Sequence, residues 1–138
     1  MIFTARNAHA TLPHYQILQA NAVGATTAGA APGFICGIDD VLVINIFAWS
    51  ADAAGPLSSG ETNATLTSPT EQYDAGTATN NGGGLAIVSG TLAAAGRVDM
   101  TTVTFGSSTA YGAVTLVIAP VADKTIASTV VIDGAAAA

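Results

Sequence analysis

The chain has 138 residues and a formal net charge of −6; half of its residues are hydrophobic and only 9% are charged. That length suits one domain with its own core. The three cations, Arg6, Arg97 and Lys124, cannot build the basic patch that nucleic acid or an anionic membrane surface requires.

Globular proteins usually carry about 25% charged residues. This chain must cover itself with Thr, Ser, Asn, Gly and Ala, a surface that loses little when it is desolvated. Much of it is therefore expected to be buried against other subunits, in a homo-oligomer. Cys36 is the lone cysteine, which excludes an intrachain disulfide and a thiolate metal cluster. It reads as a small buried apolar residue. The competing reading, a nucleophile served by His9 or His14, has no support in the local sequence.

Residues 1–13 read as an extended N-terminal arm ending at Pro13, with a single domain over 14–138. Met1–Arg6 has neither the basic start nor the apolar run of a signal peptide, so use without Sec export is expected. His14–Gln19 reads as a first strand. Residues 20–33 are small and carry no helical stripe; they read as a loop with at most a short strand at Ala22–Thr26. Phe34–Cys36 makes a brief strand and Gly37–Asp40 a turn.

Val41–Trp49 is the longest apolar run, holds the only Trp, and is rich in β-branched residues. Val41, Val43, Asn45, Phe47 and Trp49 share one face, and Leu42, Ile44, Ile46 and Ala48 the other. Both faces should be covered, and a buried Asn45 needs hydrogen-bond partners. The run is far short of the ~20 residues of a membrane helix.

Residues 50–61 carry turn chemistry. Thr62–Thr67 reads as a strand ended by Ser68-Pro69, residues 71–74 as a helical turn or extended segment, and 76–84 as a long polar loop. Leu85–Ala94 reads as a strand bulged at Ser89-Gly90. In Arg97–Phe105 a bulge at Thr101-Thr102 would bring both Val98/Met100 and Val103/Phe105 into the core. Residues 106–109 read as a turn and Tyr111–Ala119 as a strand with Val114, Leu116 and Ile118 on one side. Lys124–Asp133 closes the fold, with Ile126, Val130 and Ile132 inward. Seven or eight short strands at this spacing predict an all-β, single-domain β-sandwich or jelly roll.

No motif carries catalytic, cofactor or metal chemistry, so no site residue is assigned and a non-enzymatic role is expected. Gly82-Gly83-Gly84 lacks the Lys and the helix of a phosphate loop. Asp39 and Asp40, with Asp52 or Glu61, could offer oxygens to Ca²⁺, but no D-x-D-x-D-G pattern is present and they read as turn carboxylates. Two histidines without a third ligand make a poor zinc site. Asn63-Ala64-Thr65 fits a glycosylation sequon and reads as strand sequence.

In profile over its whole length the chain resembles the capsid decoration (cement) proteins of tailed phages. It is small, rich in Ala, Gly and Thr, nearly uncharged and β-patterned, with an arm-like start. The resemblance implies β-rich subunits, commonly trimers, on the capsid surface of a virion. There they would clamp the major capsid protein through broad low-charge interfaces. Residues 1–13 or 20–33 would touch the shell. Two other readings are a tail, fibre or filament subunit that adds a strand to its neighbour, and a sugar-binding sandwich using Tyr73, Asp74 or Tyr111 in loops.

Overall fold

The computed structural model describes residues 17–21, 25–51, 58–77, 79 and 82–120. Its regular structure is all β. The strands are β1 (Ile17–Asn21), β2 (Thr26–Ala31), β3 (Phe34–Cys36), β4 (Val41–Trp49), β5 (Ser58–Thr62), β6 (Thr67–Thr77), β7 (Gly83–Leu92), β8 (Gly96–Val98), β9 (Thr101–Thr109) and β10 (Tyr111–Ile118). The arm assigned to 1–13 and the closing segment 124–133 lie outside the described residues.

Every strand pair is antiparallel, and the pairing is nested. β1 pairs with β10, β2 with β9, β3 with β8 and β4 with β7. The chain is thus one long ribbon folded back on itself, and its return point is the 63–66 turn between β5 and β6. The ribbon then rolls. β10 comes to lie beside β4, and β9 beside β5. The result is a five-stranded sheet, β1-β10-β4-β7-β6, a three-stranded sheet, β2-β9-β5, and a two-stranded tab, β3-β8. The three-stranded sheet packs across one face of the five-stranded one, a two-layered, sandwich-like arrangement.

β4 has the bounds its sequence predicts, and its two faces separate as expected. Val41, Val43, Asn45, Phe47 and Trp49 are buried against the second layer. Phe47, Trp49, Phe105 and Tyr111 form one aromatic group. The Trp49–Phe105 and Phe105–Tyr111 centroids are 5.3 and 5.1 Å apart, and Phe105 meets Phe47 edge-on at 6.3 Å, within the range such pairs favour.

A second apolar cluster lies at the other end of the sandwich, around Val41, Val43, Leu66, Leu92, Val98 and Val117. Between the two clusters runs a polar belt. Asn45 Nδ2 donates to Thr101 Oγ1 (2.8 Å), and Asn45 Oδ1 accepts from Thr115 Oγ1 (3.0 Å), which also lies 2.9 Å from the Pro32 carbonyl. Asn63 Nδ2 reaches Thr101 Oγ1 (3.0 Å) and the Asp99 carbonyl (2.7 Å). The partners that Asn45 requires are therefore two threonines, one from each layer.

Several expectations are corrected. Residues 26–31 are not loop but strand β2, and Ala31 is fully buried. Small residues are needed there because Phe105 fills the space: a Cβ on Gly29 would stand 2.7 Å from Phe105 Cζ and 2.8 Å from Val103 Cγ2. Gly84 serves likewise on β7, where it lies directly opposite Trp49 and under its indole.

Residues 63–66 are a turn, not a strand, because the Asn63 carboxamide oxygen accepts from the backbone N–H groups of Thr65 (2.9 Å) and Leu66 (3.1 Å). The alternative left open at 71–74 resolves as extended, inside β6.

Ser89-Gly90 is regular against β4. Against β7 the register shifts fall in β6 instead, one of them between Thr67 and Thr70 around Pro69, which has no N–H to give to the ladder. The bulge at Thr101-Thr102 is absent too. The chain leaves β8 after Val98, and Met100 points out at 59% exposure, so Thr101, Val103 and Phe105 all face inward on an unbroken strand.

β9 runs on to Thr109, so 106–109 is no turn, and the crossing to the other layer takes Ala110 alone. Thr109 Oγ1 secures that corner by accepting from Ala51 N (3.0 Å). The predicted 76–84 loop narrows, because Gly76 and Thr77 already pair with Gly84 and Gly83. With these changes the described strands number ten rather than seven or eight.

Candidate interaction surface

The tab β3-β8 stands at the second-cluster end of the sandwich. Its inner side follows from strand alternation: Phe34 and Cys36 on β3, and Val98 on β8, turn toward Val41, Val43 and Val117. Its outer side carries Ile35 opposite Arg97 in register. Ile35 is 76% exposed, and Ile38 in the following bend is 43% exposed. Met100, just beyond β8, adds to the same end. Of the four large hydrophobic side chains exposed among the described residues, these are three; the fourth is Tyr73. Pro32, Phe34, Ile35, Arg97 and Met100 border a shallow groove of about 450 Å³.

The tab is held firmly. The Asp99 carbonyl accepts from Asn63 Nδ2, and the Asp99 N–H donates to Thr65 Oγ1 (2.9 Å), so the end of β8 is clamped to the 63–66 turn. At its other end Asp39 Oδ1 accepts from Ala95 N (2.6 Å), and Asp40, in the left-handed region with φ of 54°, donates its N–H to the Ala93 carbonyl (3.3 Å). Arg97 Nε donates to Asp99 Oδ1 at 2.7 Å. The guanidinium is largely in water and the carboxylate about one-third exposed, so the pair orients the guanidinium more than it stabilises the fold. An apolar patch on a clamped two-stranded platform loses little side-chain and backbone freedom when it meets a partner.

The other face of the five-stranded sheet is also apolar. Leu42, Ile44 and Ile46 of β4, Leu85 and Ile87 of β7, and Val114, Leu116 and Ile118 of β10 alternate with the inward set, and no charged residue of these three strands lies among them. On β10 Val114, Leu116 and Ile118 thus face away from the second layer, which receives Tyr111, Ala113, Thr115 and Val117.

The carboxylates weighed for Ca²⁺ do not converge. Asp39 and Asp40 lie in the bend before β4, Glu61 is on β5 in the other layer, and Asp52 is outside the described residues. Among the described residues no three of His, Cys, Asp and Glu come together. Cys36 is buried, and its thiol donates to the Ile38 carbonyl at 3.5 Å; His9 and His14 lie outside the described residues.

The residues named for a sugar site are not in loops. Tyr73 and Asp74 belong to β6. Tyr111 opens β10, packs at a tilt against Phe105, and uses its hydroxyl to accept from Ala30 N (2.8 Å). The Asn63 sequon nitrogen is buried and occupied by its two acceptors. Sequence reasoning missed the tab because Ile35 and Met100 sit in patterns that read as core strand; only the pairing of β3 with β8 turns them outward. Comparison with family models, with curated proteins and with solved structures found no match.

Proposed function

We propose that this chain is a virion structural protein, most concretely a capsid decoration protein of a tailed phage. In this reading it is built as a jelly roll, forms homotrimers, and staples the major capsid protein on the outside of the shell. The nested pairing supports the fold name, because a jelly roll is a long antiparallel ribbon rolled so that its two halves interleave into two sheets. That architecture recurs in capsid and lectin domains.

The observation that carries the reading is the tab, where three large apolar side chains stand in water on a clamped platform. In a chain with so few charges, such a patch fits another protein surface better than a polar small molecule. The mechanism is stapling, in which apolar contact with little desolvation of charge adds to shell stability wherever subunits meet.

The test is binding of the purified chain to expanded shells that lack it. Cryo-EM is expected to show a fixed copy number at symmetry-related positions. Ile35→Asp and Met100→Asp should weaken binding about tenfold or more, the effect of losing central apolar contacts, while leaving the melting temperature unchanged. A chain that stays monomeric and ignores shells would sink the reading.

A further inference from the structure

Among the described residues Arg97 is the only cation, and it stands on the apolar tab with its side chain 75% exposed. It lies directly opposite Ile35 in register, so the two side chains share the outer side of the platform. Asp99, on the same side of the chain, accepts from Nε and restrains the orientation of the guanidinium. Both Nη groups are left without a hydrogen-bond partner among the described residues. The guanidinium therefore borders the groove at Pro32, Phe34, Ile35 and Met100 with its terminal donors unused.

We infer that the tab recognises its partner by a carboxylate set among apolar side chains, the carboxylate seated on the Nη groups of Arg97 and the apolar groups against Ile35 and Met100. This rests on the capsid reading and names the chemistry of the shell surface that the tab meets. Charge complementarity selects the group. A planar guanidinium with free N–H donors matches the paired oxygens of a carboxylate or a phosphate. Asp99 already holds negative charge against Arg97, so a doubly charged phosphate meets more repulsion there than a carboxylate does. The groove selects the setting. Apolar contacts at Ile35 and Met100 expel water from around the pair, and an ion pair sheltered in this way gains more than one left in bulk water. The restraint from Asp99 helps as well, because an oriented guanidinium loses less freedom when the partner arrives.

Two variants of the full chain, tested on shells that lack it, check the charge and the shape of the group. Arg97→Gln removes the charge and should weaken binding about tenfold or more. Arg97→Lys keeps the charge without the planar fork and should fall between Arg97→Gln and the wild type. Binding of the wild type should weaken as sodium chloride rises, and Arg97→Gln should lose most of that dependence. Both variants should melt with the wild type, since the side chain is mostly in water. A second measurement identifies the partner group. A water-soluble carbodiimide joins an amine to a neighbouring carboxylate as an amide and takes up the water as a urea. Shell-bound Arg97→Lys treated in this way should show, by mass spectrometry, a cross-link from position 97 to an Asp or Glu of the major capsid protein. Arg97→Gln binding as well as the wild type, a cross-link only to Asp99 of the same chain, or one only between copies of this chain would overturn the inference while the capsid reading stands. A wild-type chain that ignores shells removes both.

Discussion

Asn45 Nδ2 donates to Thr101 Oγ1 across 2.8 Å, and this bond joins β4 of one sheet to β9 of the other at the midpoint of the interior. Asn45 and Thr101 are each 1% exposed, so neither can fall back on water. Apolar contacts tolerate small slips of one sheet over the other; a donor and acceptor in a dry interior do not. The Thr115–Asn45–Thr101–Asn63 belt therefore sets the relative position of the layers. Asn45→Ala should lower unfolding free energy by about 2–4 kcal/mol, combining a cavity with the polar partners left behind. Denaturant midpoints at unchanged m-value would check it.

Gly29→Ala is expected to destabilise by about 1–3 kcal/mol, because the new methyl must displace the Phe105 ring or Val103. Phe105→Leu in the same chain should relieve part of that cost. A double-mutant cycle would then return a coupling energy well away from zero. Strict additivity would show that β2 moves away rather than meeting the ring.

Asn63 holds the 63–66 turn through its oxygen and the end of the tab through its nitrogen. Asn63→Ala should cost about 2–3 kcal/mol, as expected for stranding several buried partners at once. Hydrogen exchange at Asp99 and Leu66 should speed up more than at β4. The same burial predicts that oligosaccharyltransferase leaves the folded chain at its unmodified mass, although the unfolded chain presents a valid sequon.

Cys36 is 8% exposed. Its thiol should react with Ellman's reagent only as fast as the chain opens, and the rate should rise across the unfolding transition. Fast stoichiometric labelling of the native protein would show that the tab lifts from the core.

The sequence by itself determined the class and the centre of this protein. Low charge, the lack of a helical apolar stripe and period-two runs of β-branched residues dictate β structure. Val41–Trp49 declares itself as a buried strand because its β-branched and aromatic residues fill both faces, and Asn45 announces that a partner must exist. These signals are local, held in composition and in alternation along one strand.

What only the tertiary structure decided is everything that depends on a residue from far away. Thr26–Ala31 looks like loop because its residues are small, and it is strand because Phe105, more than seventy positions on, needs the room. Thr62–Thr67 has strand composition but turns, because one Asn side chain outcompetes the ladder for the backbone. Met100 and Ile35 read as core and stand in water, because β3 pairs with β8 outside the main sheets. Apolar residues along a strand tell which faces shun water. Which neighbour then covers each face is set by the nested pairing and the roll of the ribbon, and no window of sequence contains that.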